Sequence, residues 1–281
     1  MKKISVRVPA KLNFTLDVLG VEGNYHNIKS LVASVNIFDA ITLSKRKDGK
    51  ISVTMRGLPV DCDLLDNNAY KAAKLFNDKF PTSGVDIIID KNIPVGGGMG
   101  GSSADIAGTL NGMKALFEKD VDVTPLANEL GSDSAYMLSG GWAVMSGRGE
   151  KIKKENVKEK FYLLLITEEK CVSARQCYKK FDELGHSFKP CTASAVKAIS
   201  DGEVDKFLSL IKNDLTKSAC EFVDEINFNL KALLRGGAKT AVMTGSGSVA
   251  FGVFSTEEER DASYKKLKPL FSDKLLKAET I

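Results

Sequence analysis

Residues 94–105 read PVGGGMGGSSAD, and this glycine-rich stretch decides how the rest of the chain is interpreted. Five of its first eight residues are glycine, although each glycine costs conformational entropy on folding. A helical pattern follows at once, because apolar residues recur at helical spacing through 106–117. Glycines let backbone N–H groups approach phosphate oxygens, and a helix N-terminus adds partial positive charge. The stretch therefore predicts an anion-binding loop, with a flexible turn as the plainer alternative.

Two familiar glycine motifs do not fit this loop. Gly96, Gly98 and Gly101 formally satisfy GxGxxG, but dinucleotide-binding folds place that motif directly after a buried strand. Here the segment DKNIP at 90–94 separates the predicted strand from the glycines. A Walker A loop is excluded because no Gly-Lys-Ser/Thr follows. A phosphate-binding loop of another type remains.

The side chains after the glycines offer ligands of their own. Ser102 and Ser103 could donate or accept hydrogen bonds with phosphate, or bind Mg²⁺. Asp105 lies in the first turn of the predicted helix, where a carboxylate either caps the helix or helps to hold a metal ion.

Short alternating or apolar runs on both sides of the loop predict strands at 4–8, 51–55, 85–90, 141–145, 161–166, 240–244 and 249–254. Helical patterns alternate with them at 66–80, 103–117, 173–184 and 256–267. Asp66 is the predicted cap of the first helix, and Ser173 and Thr256 each begin a capping-box spacing. The content is mixed α and β, without internal repeats.

The run KIKKENVKEK at 151–160 is the most charged part of the chain. It predicts a solvated helix face or loop. Because it lies between two predicted strands near the middle of the chain, we place a domain boundary there.

Composition excludes several classes of protein. The 281 residues carry a net charge of +4, too small a surplus for an obligate nucleic-acid binder. The five cysteines are odd in number and form no CxxC, which indicates reduced thiols in a cytosolic protein. No apolar stretch of membrane-spanning length occurs, and we expect no secretion signal. Two histidines leave little material for a Ser-His-Asp triad or a multi-histidine metal site.

The pattern Pro-x-x-x-Gly-Met-Gly-Gly-Ser-Ser resembles the ATP loop of the GHMP kinases. Further segments resemble, in order, the sequence blocks of one subfamily: PAKLNFTLDVLG (9–20), YHNIKSLVASVNIFDAITL (25–43), GSDSAYMLSGGWAVMSGRGE (131–150) and MTGSGSVAFGVF (243–254). That subfamily uses ATP to phosphorylate the C2 hydroxyl of a cytidine-diphosphate sugar alcohol in the non-mevalonate isoprenoid pathway. The similarity covers most of the chain.

The resemblance implies an α+β, two-domain GHMP kinase fold. Its N-terminal, ribosomal-protein-S5-domain-2-like ATP domain would span 1–155, and its C-terminal ferredoxin-like domain 156–281. It also implies a small-molecule kinase of the bacterial cytoplasm, with ATP and Mg²⁺ as cofactors and neither nucleic acid nor membrane as a partner. Monomer and homodimer both remain open.

The resemblance assigns the catalytic roles to Lys11 and Asp133. Phosphoryl transfer needs in-line positioning, charge neutralisation and a group that receives the hydroxyl proton. Asp133 would accept or orient that proton, and Lys11 would be the fixed cation near the acceptor oxygen. The two side chains are then expected to meet, facing the loop at 96–103.

The implied ATP-binding residues comprise one position near adenine and the loop itself: Asn67, Pro94, Gly96, Gly97, Gly98, Gly100, Gly101, Ser102 and Ser103. Ser103 is also the implied contact to ATP-bound Mg²⁺.

The implied substrate-binding residues are Asn13, Tyr25, His26, Tyr178, Gly245 and Ser246. Proteins hold flat bases by stacking and by hydrogen bonds to the base edge. Tyr25 supplies a ring and His26 a polar edge, while Tyr178 either closes over the other face or is an ordinary core aromatic.

The segment TGSGS at 244–248 lies between two predicted strands and predicts a tight hairpin. Its small residues would also let the second domain approach the substrate phosphates. We expect the active site in the cleft between the two domains.

The chain departs from the subfamily pattern at a few positions. Asn24 and Ser102 replace glycines, Ala174 replaces a threonine, and GSDSA at 131–135 lacks the usual proline. Asn24 tolerates the positive φ that a glycine there would adopt. These departures bear mainly on the identity of the acceptor.

Two alternatives compete with the cytidyl-substrate kinase. One is a GHMP kinase for another small alcohol, such as homoserine or a mevalonate-like compound, which would have no base to stack on Tyr25 and His26. The other is a non-catalytic nucleotide-binding homologue, against which the intact Lys11 and Asp133 argue.

Overall fold

The computed structural model describes residues 2–23, 25–60, 62–185 and 189–281. The chain divides into two compact units, each made of several segments. Unit 1 contains Met1–Ala10, Ile37–Val95 and Gly100–Gly140. Unit 2 contains Lys11–Asn36, Gly96–Met99 and Gly141–Ile281. The sequence-based boundary at 155/156 stays a prediction about domains.

The strands of the described residues are β1 (Lys3–Asn13), β2 (Thr15–Glu22), β3 (Tyr25–Lys45), β4 (Ile51–Gly57), β5 (Val85–Lys91), β6 (Ala143–Gly147), β7 (Lys151–Lys154), β8 (Tyr162–Ile166), β9 (Lys212–Asn213), β10 (Thr240–Met243), β11 (Ala250–Phe254) and β12 (Leu275–Glu279). The α-helices are α1 (Asn68–Lys79), α2 (Gly101–Leu116), α3 (Thr124–Leu130), α4 (Ser134–Met137), α5 (Ala174–Leu184), α6 (Thr192–Ser200), α7 (Val204–Leu210), α8 (Thr216–Cys220), α9 (Glu225–Gly236) and α10 (Glu257–Phe271). No helix among the described residues is long and apolar enough to cross a bilayer.

Unit 1 places helix α2 against its strands. β5 runs antiparallel to the second half of β3 and parallel to β4. Eleven of the 16 residues of α2 are buried. A Cβ on Gly108 would lie 2.5 Å from a side-chain carbon of Ile41, and one on Gly112 would lie 2.2 Å from a carbon of Leu43. The two glycines therefore let α2, which begins at the glycine loop, lie close to β3.

Unit 2 contains two groups of strands. In the first, β2 and β6 both run antiparallel to the first half of β3, β7 pairs with β6, and β9 runs parallel to β2. Phe14 lies at the centre of an aromatic cluster with Trp142, Phe161, Phe207 and Phe251, at centroid distances of 4.8 to 5.9 Å. Burying such large rings contributes strongly to the stability of the unit.

The second group of strands in unit 2 is an antiparallel sheet in the order β10-β11-β8-β12. The long connection from β8 to β10 ends with helix α9, and helix α10 connects β11 to β12. Both helices pack on this sheet. The order and the helix placement are those of a ferredoxin-like βαββαβ arrangement, which the resemblance led us to expect.

All seven predicted strands are confirmed within a few residues, and so is the hairpin at TGSGS, because β10 and β11 pair across it. The prediction for 151–160 is wrong in part. Residues 151–154 form β7, whose backbone pairs with β6, and only the remainder is irregular. The sequence did not reveal this strand, because lysines occupy both of its faces and the usual alternation of apolar and polar residues is absent.

The helix caps were predicted with mixed success. Asn67, rather than Asp66, caps α1, since its side chain accepts hydrogen bonds from the N–H groups of Ala69 and Tyr70. Ser173 is the N-cap residue of α5, but its side chain makes no capping bond. Thr256 caps α10 as predicted and accepts from the Glu259 N–H. A polar residue just before a helical pattern thus locates the start of the helix more reliably than it predicts a side-chain capping bond.

Candidate active site

The glycine loop adopts a backbone that only glycine accepts readily. Gly96, Gly98 and Gly100 have φ values of 67°, 78° and 76°, all in the left-handed region. Helix α2 begins directly afterwards, and Gly100 at its N-cap provides no side-chain capping bond. Left-handed residues alternating along a loop turn backbone N–H groups towards a shared anion. The loop therefore has the conformation that a phosphate-binding loop needs.

In unit 2, the segment 96–99 of this loop contacts the second glycine-rich segment. A Cβ on Gly98 would lie 2.3 Å from the carbonyl oxygen of Thr244. The Thr244 hydroxyl donates to the Gly98 carbonyl over 3.3 Å, and the Val249 N–H donates to the Gly97 carbonyl over the same distance. The small residues of both segments are thus required by close backbone approach.

Lys11 and Asn13 lie at the end of β1 and join this cluster. The Lys11 Nζ donates to Asn13 Oδ1 over 2.6 Å, and the Lys11 N–H donates to the Met99 carbonyl over 3.0 Å. Asn13 Oδ1 also accepts from the Thr244 hydroxyl at 3.1 Å and the Gly245 N–H at 3.0 Å. The side chains of Lys11 and Asn13 are almost completely buried. One amide oxygen therefore links the buried ammonium to the second glycine segment.

The remaining predicted residue of that segment, Ser246, donates from its hydroxyl to the Val172 carbonyl over 3.4 Å. Below the segment, Asn213 Nδ2 donates to the carbonyls of Met243 and Gly245, each over 2.8 Å. The hairpin loop is therefore fixed on two sides by side-chain bonds.

Asp133 lies in unit 1, at the N-cap of the short helix α4. Its carboxylate makes no capping bond, and its carbonyl accepts from the Met137 N–H over 3.1 Å. Next to it, a Cβ on Gly131 would lie 2.8 Å from Ser134 Oγ and 3.7 Å from Ser103 Oγ. Asp133, Ser134 and Ser103 are thus neighbours within one unit. The meeting of Asp133 with Lys11, which belongs to unit 2, stays a prediction.

Asp105 does not cap α2, which corrects one of its two predicted roles. Its Oδ2 accepts from Lys91 Nζ over 2.7 Å, and the same ammonium donates to Asp39 at 2.7 Å and to the Gly101 carbonyl at 2.9 Å. Burial, together with the nearby Asp39 carboxylate, raises the pKa of Asp105 to about 6 against the lowering effect of Lys91. This buried cluster of two carboxylates and one ammonium lies under the first turn of α2.

A metal site built from the protein alone is not evident in the described residues. They contain no group of three or more His, Cys, Asp or Glu side chains placed to hold a metal ion. Asp105 Oδ1 and Ser134 Oγ are buried without a hydrogen-bond partner among the described atoms.

Asn67 combines its capping role with a place beside a pocket. Its Nδ2 lies 3.5 Å from the Met55 sulfur and 3.6 Å from the Cys62 sulfur. Met55 is also one of the residues 55–60 that line a pocket of about 290 Å³. The role of Asn67 near adenine stays a prediction.

The residues predicted to hold the base lie in unit 2. His26 stacks on Tyr178 with ring centroids 4.7 Å apart and an interplanar angle of 22°. Tyr25 is more than half exposed, and the Arg148 guanidinium lies 4.8 Å from its ring centroid. Tyr178 packs against a buried cluster and at the same time contacts His26, so both of its predicted roles remain compatible with its position. Asn24 lies outside the described residues.

Several residues of these clusters were missed from the sequence. They are the partners of predicted residues: Ser30 and Thr244 with Asn13, Lys91 and Asp39 with Asp105, Asp182 with His26, and Arg148 with Tyr25. Thr244 lies in TGSGS at 244–248 and Lys91 in DKNIP at 90–94, and the glycines and the proline of these segments predict turns. No local pattern points to the others, because their partners are far away in the chain.

Comparison with known proteins places the chain among kinases. Residues 67–148 match the family model described as the GHMP kinases N terminal domain. A 4-diphosphocytidyl-2-C-methyl-D-erythritol kinase from Clostridium tetani is 32% identical over 276 residues, which cover 96% of this chain and 98% of the relative. The namesake from Thermoanaerobacter sp. is 31% identical over 280 residues, covering 97% and 94%.

Solved structures support the same grouping. A crystal structure of 4-(cytidine 5'-diphospho)-2C-methyl-D-erythritol kinase superposes with a TM-score of 0.81 at 25% identity, covering 98% of each chain. A homoserine kinase from Cytophaga hutchinsonii superposes with a TM-score of 0.78 at 17% identity, covering 100% of this chain and 95% of that one. The second likeness shows the fold alone. The expected α+β GHMP kinase fold is confirmed.

Proposed function

The chain belongs to the 4-diphosphocytidyl-2-C-methyl-D-erythritol kinase family of the GHMP kinases, and from this premise we propose the reaction that it catalyses. It transfers the γ-phosphoryl group of ATP to the C2 hydroxyl of 4-diphosphocytidyl-2-C-methyl-D-erythritol. The observation that carries the proposal is the cluster in which Asn13 holds the Lys11 ammonium beside two glycine-rich segments. A buried cation next to such segments suits a site where phosphate charge develops.

The donor is ATP, bound by the loop at 94–103. The left-handed glycines and the first turn of α2 offer N–H groups to its phosphates. Asn67 lies at the adenine end, beside the pocket at 55–60. Mg²⁺ arrives with ATP and neutralises phosphate charge when bound, and the Ser103 hydroxyl is the proposed protein contact.

Lys11 and Asp133 carry the chemistry in this proposal. Asp133 receives or orients the proton of the attacking hydroxyl, and Lys11 offsets the negative charge on the acceptor oxygen and the transferred group. Asn13 keeps the Lys11 ammonium in place, since it accepts one of its three N–H bonds. Gly245 and Ser246 present the second glycine segment to the substrate phosphates.

The acceptor is recognised through its base. Tyr25 offers an exposed ring for stacking, and His26 offers a polar edge. Tyr178 stacks on the His26 ring and, in this proposal, borders the position of the base. We place this reaction in the non-mevalonate isoprenoid pathway of the bacterial cytoplasm, with an ATP domain at 1–155 and a second domain at 156–281.

The test is an ADP-release assay with MgATP over a panel of alcohols. We expect turnover of the cytidyl compound, with homoserine and mevalonate near the background rate. Turnover of homoserine or mevalonate without any turnover of the cytidyl compound would contradict the proposed acceptor. ADP release with none of the alcohols, while ATP still binds, would favour a non-catalytic nucleotide-binding protein.

A further inference from the structure

His26 is held by side chains of a single helix, α5, at both its edge and its face. Its Nε2 lies 2.8 Å from Asp182 Oδ1. Its ring stacks on Tyr178 and meets the edge of Phe181, with centroids 6.4 Å apart and planes at 89°. Only 14% of the His26 side chain is exposed. The ring is therefore fixed in orientation as well as in place.

The bond to Asp182 decides which ring nitrogen carries the proton. An ionised carboxylate only accepts hydrogen bonds, so the Nε2 of His26 must donate to Asp182. In a neutral imidazole the other nitrogen, Nδ1, is then unprotonated and accepts hydrogen bonds. The carboxylate of Asp182 thus turns the remaining edge of His26 into an acceptor.

Asp182 has little to contribute as a surface ion pair. Its side chain is 54% exposed, and exposed pairs add little to the free energy of unfolding. Its neighbour Glu183 is similarly exposed, at 47%, and pairs with Lys180 on the same helix. The difference between the two carboxylates is the group that each one contacts, which for Asp182 is a predicted substrate-binding residue.

An acceptor edge distinguishes pyrimidine bases. Cytosine carries an exocyclic amino group that donates hydrogen bonds, whereas uracil has a carbonyl oxygen, an acceptor, at that position. An unprotonated Nδ1 accepts a hydrogen bond from the amino group of cytosine. It forms none with the carbonyl oxygen of uracil, because both atoms are acceptors and their lone pairs repel. A base whose edge meets this Nδ1 is therefore favoured when it carries the amino group of cytosine.

We propose that Asp182 is a positioning residue that holds His26 in the Nε2–H tautomer and thereby sets the preference of the acceptor site for cytosine. The base preference rests on the function proposed above, whereas the tautomer does not. Asp182 acts through His26 and needs no contact of its own with the base.

The tautomer can be measured without any substrate. Because the chain has two histidines, ¹⁵N spectra of the wild type and of His186→Asn assign the His26 ring nitrogens. At alkaline pH, where the imidazole is neutral, we expect a protonated Nε2 and an unprotonated Nδ1. In Asp182→Ala, a larger fraction of the Nδ1–H form is expected. An Nδ1–H tautomer in the wild type overturns the proposal.

The base preference is measured as kcat/KM for the cytidyl acceptor divided by kcat/KM for its diphosphouridyl analogue. We expect Asp182→Ala to lower this ratio about three- to tenfold, the discrimination that one hydrogen bond provides. The change should appear in the KM of the acceptor, with the KM of ATP unaltered. Asp182→Asn, which can donate to or accept from Nε2, should give an intermediate ratio.

Glu183→Ala is the matched control, because it removes a similarly exposed carboxylate of the same helix that pairs with Lys180 rather than with His26. Equal ratios for Asp182→Ala and Glu183→Ala, with the wild-type tautomer kept in both, would refute the role of Asp182. A wild-type protein that turns over neither nucleotide compound contradicts the proposed function and the base preference together. The ¹⁵N spectra then still decide whether Asp182 holds the tautomer.

Discussion

Asn13 Oδ1 accepts a hydrogen bond from the Lys11 ammonium over 2.6 Å and a second one from the Gly245 N–H over 3.0 Å. Its other amide atom, Nδ2, donates to the Ser30 hydroxyl over 2.7 Å. Asn13 is therefore fixed before any ligand binds, and it fixes the ammonium and the second glycine segment together. Preorganised charge of this kind needs no rearrangement at the moment of reaction.

Replacing Asn13 by alanine should lower kcat about 10- to 100-fold. A hydrogen bond to a charged group contributes about 1.5–3 kcal/mol, and about 1.4 kcal/mol corresponds to a tenfold change in rate. Steady-state kinetics at saturating MgATP and acceptor measure the change. Asn77→Ala is a suitable control, since the Asn77 side-chain oxygen accepts from the N–H and hydroxyl of Thr82 in unit 1, each over 2.8 Å. A kcat for Asn13→Ala equal to that of the control would show that Lys11 needs no support from Asn13.

Asp133→Ala should reduce kcat by at least about 100-fold while ATP still binds, because the general base contributes about 10²–10⁴ to the rate. Lys11→Met should have a loss of similar size, with its effect on chemistry rather than on the affinity for ATP. Single-turnover phosphoryl transfer and equilibrium binding of an ATP analogue separate the two quantities. Asp120→Ala, which removes a fully exposed carboxylate in the same unit as Asp133, should leave kcat unchanged. If Asp133→Ala stays within a few-fold of the wild type, another group receives the proton.

Gly98→Ala should both destabilise the protein and raise the KM for ATP. Gly98 has φ of 78°, and an added Cβ would lie 2.3 Å from the backbone oxygen of Thr244, which cannot move cheaply. Gly202 is the matched control, because its φ is 74° and no atom lies within 4 Å of an added Cβ. Gly202→Ala should cost about 1–2 kcal/mol, the backbone strain alone. Denaturant unfolding and ATP kinetics compare the two variants, and equal effects would mean that the contact with Thr244 is dispensable.

Asp17 should make the free energy of unfolding depend on acid pH. Burial raises the pKa of Asp17, but hydrogen bonds from Thr192 and Cys191 at the start of α6 outweigh this effect and hold the pKa below its ordinary value. The Lys212 ammonium, itself paired with Asp214, lies 3.6 Å away. A carboxyl whose folded pKa is lowered stabilises the fold above its unfolded pKa, and this stability is lost as the pH falls through the folded pKa.

The difference in unfolding free energy between the wild type and Asp17→Asn should therefore be constant near neutral pH and shrink below about pH 4. Denaturant titrations at a series of pH values measure it. Asp205→Asn, at an exposed carboxyl of α7, provides the comparison. A difference that grows on acidification would mean that Asp17 does not form these bonds as a carboxylate.

The sequence by itself determined the local features of this protein. The glycines of 96–101 predicted a loop that leads into a helix, and strand and helix periodicities predicted β1, β4, β5, β8 and α2, because such features depend on residues close together in the chain. The motif order also identified the family.

Only the tertiary structure decided which side chains meet. From the sequence, Asp105 is either a cap or a metal ligand. In the structure it accepts from Lys91, which also donates to Asp39, 52 residues from Lys91 in the chain. Asn13 and Thr244 are 231 residues apart, and His26 and Asp182 are 156 apart. No local periodicity encodes such contacts, since they exist only after the strands have paired and the helices have packed on them.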